Sequence, residues 1–277
     1  MILLLLSCGE PPFLTLEPQS VDKDDMIYIE GGEFLMGVAD LEPGPYGNHW
    51  KETAQPQHSV TLTDYFLDRT EVTVSAYAAF LNALYNVNGL SMTSHHHPLQ
   101  PLEWTGNAFE AKEGMDNHPI HYVSWYDAVT YCRSLNKRLP TEAEFEYAIK
   151  GNDTENPRNF PWSEGGPTCQ KAVYYTNLTL CEDRPAPVGS RSPAGDSPEG
   201  VADLSGNVSE WVWDWSARYD STAVMDPKGP DDGTYKILRG GGFRETSDAL
   251  RATDRVEADP RSRSEGIGFR CALGEVE

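Results

Sequence analysis

The order of apolar and polar residues along the first third of the chain predicts short strands joined by loops. Residues 26–37 read as a strand, a glycine bend at Gly31 and Gly32, and a second strand. Residues 58–63 alternate between apolar and polar side chains, as a half-buried strand does. Residues 40–57 are polar and rich in proline and glycine, which predicts a loop.

Three later segments predict helices with identifiable starts. Thr73 is placed to cap a helix, and the apolar residues after it fall on one helical face: Tyr77, Phe80, Leu81 and Leu84. Two capping boxes follow, in which a hydroxyl and an acid three residues later satisfy backbone N–H groups: Ser124 with Asp127, and Thr141 with Glu144. The first of these two helices is expected to bury Ala128, Val129, Cys132 and Leu135. The second is expected to bury Phe145, Ala148 and Ile149 and to end at Gly151.

Two other stretches carry a weaker pattern. Residues 86–118 show no apolar period and predict a long surface insertion. Trp211, Trp213 and Trp215 alternate, so all three face the same side of one strand. Such a row could stack on a sugar or a peptide, but core packing is the favoured interpretation because large aromatic side chains dominate protein cores.

Composition and charge narrow the class of protein. The chain has 277 residues with 24 Gly, 20 Pro and 7 Trp, which favours one loop-rich, irregular α+β domain. Its formal net charge of −21 argues against binding to nucleic acid or electrostatic attachment to anionic lipid, since both need basic patches. Acidity of this kind usually means a solvated surface, and the alternative is carboxylates gathered around a hard cation such as calcium.

The N-terminus resembles a lipoprotein signal. Residues 5–8 are similar to the lipobox of bacterial lipoproteins, in which the cysteine, here Cys8, is lipidated and becomes the first mature residue. The apolar run is shorter than the usual about 7–15 residues, and we interpret it as a signal whose start is truncated or misassigned. A frayed apolar tail is the alternative. We expect a signal at 1–8, a linker at 9–25, a single domain at 26–277, and a location in the bacterial cell envelope.

Several motifs together resemble one known family. Residues 239–243 (RGGGF) and 268–271 (GFRC) are similar to the C-terminal hallmark of the sulfatase-modifying-factor, or formylglycine-generating-enzyme, family. Residues 123–128 and 137–148 match its most recognisable block, and the resemblance extends over residues 26–273. It implies an α+β fold related to C-type lectin domains, with little regular secondary structure, mixed or antiparallel strands and a few helices.

Compared with the catalytic members of this family, the chain lacks the residues that carry out their oxidation reaction. In catalytic members a pair of cysteines between the two hallmark motifs binds copper and oxidises a substrate cysteine, but no cysteine lies between Arg239 and Arg270. A serine and a tryptophan that help to shape the oxygen site there are replaced by Gly242 and Ser209. Copper(I) requires soft thiolate ligands, so we expect no copper, no catalytic residue and no formylglycine-generating activity.

Four cysteines remain once Cys8 is set aside. Their spacing alone leaves three pairings open, as well as the possibility of reduced, buried thiols. The family resemblance implies a bridge between the cysteine before K-R-L-P-T-E and the one that ends G-F-R-C. These are Cys132 and Cys271, which leaves Cys169 to pair with Cys181.

The best metal-site candidate is the loop 203–210. The resemblance implies that Asp203, Gly206, Val208 and Glu210 hold a structural Ca²⁺, the middle two through their carbonyl oxygens. Calcium prefers six to eight hard oxygen ligands on a bent loop, which two acids around a glycine can supply. The alternative is that Asp203 caps a turn and Glu210 is solvated.

Two functional hypotheses follow from the sequence. The first is a non-catalytic binding or scaffold domain on the bacterial envelope, which holds a peptide, a glycan or a protein partner in the groove inherited from the family. The second is an enzyme of different chemistry, either an oxidoreductase or another class, whose polar pocket replaces the copper pair. The residues of that pocket would be Arg244, Glu245, Asp248, Arg251, Asp254 and Arg255.

Overall fold

The computed structural model describes residues 23–39, 52–88 and 95–274. The lipidation site predicted at Cys8 and most of the predicted linker lie outside these residues. Within them, no helix combines the length and the apolar character needed to cross a membrane. The domain boundaries and the lipid anchor therefore stay predictions.

Helices form at the three places where the capping signals predict them. They are α1 (Val74–Asn88), α2 (Trp125–Ser134) and α3 (Glu142–Lys150). The Thr73 hydroxyl accepts a hydrogen bond from the backbone N–H of Ala76 at the start of α1. Both predicted capping boxes are complete, and Gly151 ends α3 at a φ of 71°, a conformation that favours glycine. The predicted buried faces are confirmed except at Leu135, which is 42% exposed because α2 ends there.

Twelve short strands account for the β structure of the described residues. They are β1 (Met26–Ile29), β2 (Gly32–Met36), β3 (His58–Leu62), β4 (Tyr65–Asp68), β5 (Leu102–Trp104), β6 (Phe109–Ala111), β7 (Ser209–Trp215), β8 (Val224–Met225), β9 (Lys236–Arg239), β10 (Val256–Ala258), β11 (Ile267–Gly268) and β12 (Ala272–Leu273).

These strands form four small sheets, in the orders β1-β4-β12, β10-β9-β7-β11, β2-β3-β8 and β5-β6. Pairs β3–β8 and β7–β11 are parallel and the other named pairs are antiparallel. Few helices with short mixed sheets confirm the predicted α+β fold class.

The strand, glycine bend and second strand predicted at residues 26–37 are present as β1 and β2, which belong to different sheets. One expectation about the N-terminal half needs correction. The stretch 86–118 is not only a surface insertion, since its described part contains the hairpin β5-β6, with Leu102 and Phe109 buried in the core. Strands of three residues are too short to show a period in the sequence.

Both predicted disulfides are present. Cys132 on α2 bonds to Cys271, which immediately precedes β12, with the two Cα atoms 5.6 Å apart. Cys169 bonds to Cys181 across a loop of the central segment, with a Cα separation of 5.3 Å. The long bridge therefore fastens the C-terminal strand to the middle of the chain.

The tryptophan row on β7 packs inward. Trp211 is fully buried and donates a hydrogen bond from its indole nitrogen to the Val123 carbonyl, 3.0 Å away. Trp213 and Trp215 are half-buried against Trp125, with ring centroids 5.5 and 6.3 Å from it. This confirms core packing, the favoured interpretation, for Trp211. Most of the surface of Trp213 and Trp215 is also buried.

Candidate binding site

The glycines after β9 bring distant segments into contact. Gly240 and Gly241 adopt φ angles of 87° and 69°, which favour glycine. A Cβ atom at Gly242 would lie 3.3 Å from the carbonyl oxygen of Gly266 and 3.6 Å from Oγ of Ser209. Gly242 and Ser209 are thus neighbours; Gly242 has no side chain where the resemblance implies a serine, and Ser209 stands where it implies a tryptophan.

Asn207 connects the segments that meet near Gly242 and Ser209, a role that the sequence did not reveal. Its backbone N–H donates to the Val173 carbonyl at 2.8 Å, and its own carbonyl accepts from the Phe243 N–H at 2.9 Å. Its side-chain oxygen accepts from the Ala186 N–H at 2.8 Å, while its amide nitrogen donates to Oε1 of Glu71 at 3.0 Å. One side chain with both donor and acceptor therefore fixes the loop in place.

The acids of the loop 203–210 are satisfied within the protein. Both carboxylate oxygens of Glu210 accept hydrogen bonds from Arg270 at 2.7 Å, and both side chains are fully buried. Asp203 accepts from the Gly189 N–H at 2.5 Å. Burial, with Asp203 and Glu210 nearby, holds the pKa of Glu71 well above its usual range, and its buried Oε2 has no hydrogen-bond partner among the described residues.

This arrangement bears on the calcium prediction. The ligands expected for Ca²⁺ are Asp203, Gly206, Val208 and Glu210, but both oxygens of Glu210 already contact Arg270. A cation at Glu210 would have to share this carboxylate with the Arg270 guanidinium or displace it. Across residues 23–39, 52–88 and 95–274, no group of three or more His, Cys, Asp or Glu side chains is arranged to hold a metal. Whether the loop binds calcium through its carbonyl oxygens is untested and stays a prediction.

The six residues expected to form one polar pocket are divided among three places. Arg255 is buried and donates to both carboxylate oxygens of Glu142 at 2.7 Å. Arg244 is exposed and pairs with Glu265. The expectation of a single pocket was wrong, because side chains adjacent in sequence are directed to different partners. The other four lie near one another: Glu245, Asp248, Arg251 and Asp254.

Asp254 is the most perturbed member of that group. Burial raises its pKa to about 7, although the nearby Arg239 opposes the rise. Arg239 is itself fully buried, pairs with Glu146 and donates to the Ala252 carbonyl at 2.8 Å. Perturbed carboxyls are typical of functional sites but also of buried ionic networks, and the backbone carbonyl of Asp254 accepts a hydrogen bond from Arg239, which belongs to such a network.

A cavity of about 350 Å³ has Ala186 in its lining. Ala186 belongs to a buried apolar cluster with Val173 and Phe243, the residue after Gly242. His118 and Arg191 also line it; Nδ1 of His118 and Nε of Arg191 are buried and have no hydrogen-bond partner among the described residues. We call this the Ala186 cavity. The sequence showed no signal for it, since its lining comes from residues 113–118 and 182–191.

The comparison with family models identifies the class of protein. Residues 12–274 match the model of the sulfatase-modifying factor enzyme 1-like domain. The chain belongs to this family, as its motifs predicted.

Individual relatives support the assignment. The chain is 32% identical to the formylglycine-generating enzyme of Streptomyces coelicolor over 286 residues, which cover 89% of this chain and 88% of that protein. It is 30% identical to the serine/threonine-protein kinase pkn1 of Chlamydia caviae over 259 residues, which cover 90% of this chain but 38% of that longer protein. The structure of PvdO from Pseudomonas aeruginosa is similar with a TM-score of 0.64 and 26% identity, covering 93% of this chain and 99% of that one.

Proposed function

We propose that this protein is a non-catalytic member of its family: a domain on the bacterial cell envelope, anchored by a lipid at Cys8, that binds a partner in the Ala186 cavity. The partner would be a peptide, a glycan or another envelope protein. The anchor rests on the similarity of residues 5–8 to a lipobox. The binding role rests on the cavity and on the loss of the family's copper-binding thiols.

One observation carries the proposal. Every cysteine in the described residues is engaged in a disulfide, and none lies between Arg239 and Arg270. Copper(I) is held by soft ligands, chiefly thiolates and thioethers, whereas the groups at the glycine turn are carboxylates, guanidiniums and hydroxyls. The residues present therefore do not fit the copper centre of the catalytic relatives.

The enzyme hypothesis gains no comparable support. Its six residues do not surround one space, and Arg255 is committed to Glu142. Asp254 has a raised pKa, but its burial accounts for the rise.

The unsatisfied nitrogens beside the Ala186 cavity support a binding role. Buried polar atoms without partners are uncommon, and each calls for an explanation such as water or a ligand. His118 Nδ1 and Arg191 Nε are two such atoms in residues that line one cavity. Both atoms have almost no accessible surface, so a partner would gain these hydrogen bonds only when the two side chains turn toward the cavity.

The binding role is tested by filling the cavity. Ser190 lines it, and Ser190→Trp should block it without removing a core contact, because Ser190 is exposed. The matched control is Met225→Trp on β8, a residue that is 66% exposed and lies outside the cavity. Each variant and the wild type are used to capture partners from native envelopes after chemical cross-linking.

We expect one partner to be captured by the wild type and by Met225→Trp and to be lost with Ser190→Trp. Equal capture by all three proteins would contradict a binding role for this cavity. Circular dichroism and melting temperature of each variant show whether its fold is intact.

A further inference from the structure

The two disulfides differ in their access to solvent. Cys132 and Cys271 are fully buried, which withholds their sulfurs from a reductant while the domain is folded. Cys169 and Cys181 are each half-buried. Thiol–disulfide exchange starts with attack of a thiolate on a disulfide sulfur, and its rate depends on access to that sulfur. Of the two bridges, the one between Cys169 and Cys181 is therefore the one that a reductant reaches in the folded protein.

The accessible bridge braces a short β-hairpin, residues 174–181, which we call the disulfide hairpin. The N–H of Cys181 donates to the Tyr174 carbonyl at 2.9 Å, and an isolated antiparallel β-bridge pairs the two arms. The N–H of Tyr175 donates to the Glu245 carbonyl at 2.8 Å, which connects the hairpin to the segment after the glycine turn. A two-stranded hairpin is only marginally stable on its own in water. The disulfide, which closes a loop of 12 residues, therefore adds an anchor that these few backbone bonds need.

The disulfide hairpin leads directly into the wall of the Ala186 cavity. Glu182, the residue after Cys181, lines the cavity and pairs with Arg191, which lines it as well. Four residues further on, the Ala186 N–H donates to Oδ1 of Asn207 at 2.8 Å. This stretch of wall is therefore held at one end by the disulfide and at the other by Asn207.

The ion pair within this wall does not replace the disulfide as an anchor. The side chains of Glu182 and Arg191 are 42% and 19% exposed. A pair that is open to solvent gains little from its charges, because water screens them and two long side chains must be ordered to form it. Loss of the disulfide would thus leave the wall fixed at Asn207 and loose at Glu182.

We propose that the disulfide between Cys169 and Cys181 is a redox latch of the Ala186 cavity: the closed bridge fixes the cavity wall, and its reduction loosens the wall and weakens binding. The proposal rests on the binding role proposed for this cavity. The reductant is a dithiol. One of its thiolates attacks a sulfur of the bridge to form a mixed disulfide, and its second thiolate resolves that intermediate. The dithiol becomes a disulfide, and the two electrons and two protons that it loses leave Cys169 and Cys181 as thiols.

Reduction acts on the order of the wall and not on the groups offered to a ligand. Neither Cys169 nor Cys181 lines the cavity, so the lining side chains are the same in both redox states. A ligand that binds the reduced protein must first order the loosened wall, and this ordering subtracts from its affinity. The oxidised protein has already ordered the wall on folding, so it should bind more tightly.

The first experiment measures which bridge is reduced. The native protein is incubated with increasing concentrations of dithiothreitol, the released thiols are alkylated with iodoacetamide, and the peptides are analysed by mass spectrometry. Cys169 and Cys181 should be alkylated at a dithiothreitol concentration at least about tenfold lower than Cys132 and Cys271, whose bridge is the internal control.

The second experiment measures the order of the wall by hydrogen exchange of the oxidised and the selectively reduced protein. Amide exchange in residues 174–186 should accelerate at least about tenfold on reduction, whereas the hairpin β5-β6 should exchange equally in both states. A variant with Cys169→Ser and Cys181→Ser should exchange rapidly in this segment with or without dithiothreitol. Capture of the partner should fall several-fold in the reduced protein and in this variant.

Three outcomes would overturn the latch: both bridges are reduced together, exchange in residues 174–186 does not change on reduction, or a partner whose capture Ser190→Trp abolishes is captured equally by the oxidised and the reduced protein. The selectively reduced wild type decides these points even if the double serine variant does not fold. Failure of the binding role is a different result, in which Ser190→Trp leaves capture unchanged whatever the exchange measurement shows.

Discussion

Asp254 offers a sharp test of the buried ionic network, through the substitution Asp254→Asn. The carboxyl is 7% exposed, and burial raises its pKa from 3.8 to about 7. The folded protein therefore holds a proton between pH 4 and pH 7 that the unfolded chain has already released. Stability contributed by that proton is fully present below pH 4 and is lost as the pH rises through 7.

The size of the expected stability change follows from the shift in the pKa of Asp254. At 1.36 kcal/mol per pKa unit, a rise from 3.8 to about 7 costs the ionised wild type about 4 kcal/mol above pH 7. Asparagine has a similar shape and does not ionise, so it avoids this cost. We expect the variant to gain stability over the wild type as the pH rises from 4 to 7, and the gain to level off near pH 8.

Urea unfolding of the wild type and of Asp254→Asn at several pH values between 4 and 8 measures the difference in their free energies of unfolding. Titrating groups that behave alike in the two proteins do not contribute to this difference. Asp248→Asn is the control, because its carboxylate pairs with Arg251 at 2.9 Å on a partly exposed surface. That variant should lose at most about 1 kcal/mol. A difference between Asp254→Asn and the wild type that stays constant from pH 4 to pH 8 would refute the reasoning.

Three further predictions concern the bridges and the acidic loop. Replacing both Cys132 and Cys271 by serine should lower the free energy of unfolding by about 4–5 kcal/mol, the chain-entropy value for a loop of 139 residues; a loss below about 1 kcal/mol in urea unfolding would contradict it. Arg270→Met should cost about 3–5 kcal/mol in the same assay, because it leaves Glu210 buried without its counter-charge, and the double change with Glu210→Leu should recover much of that loss. For the calcium prediction, EDTA should lower the melting temperature of the protein in calcium, and an unchanged melting temperature would show that the loop is not a calcium site.

Features specified by residues close in sequence could be predicted well. The capping boxes at Ser124 and Thr141 depend on contacts across three residues, and both form as expected. The disulfide between Cys132 and Cys271 spans 139 residues, and only the family resemblance identified it. Burial of Leu135 was predicted from helical spacing, which does not show where the last turn ends.

The candidate site was predicted less well because distant partners define it. Arg255 is separated from Glu142 by 113 residues, and that contact takes it away from its neighbours in sequence. Glu71 and Asn207 meet across 136 residues, so nothing near Glu71 in the sequence indicates that it will be buried with a raised pKa. The Ala186 cavity is also assembled from separate segments, which a single sequence does not reveal.

The central claim is that this protein keeps its family's fold but not the oxidation of a substrate cysteine. The most direct measurement is mass spectrometry of a Cys-x-Pro-x-Arg peptide after incubation with the copper-treated protein and oxygen, with a catalytic relative as positive control. We predict that the peptide cysteine stays unchanged, because no thiolate pair lies between Arg239 and Arg270. Conversion of that cysteine to the aldehyde, formylglycine, would contradict the account.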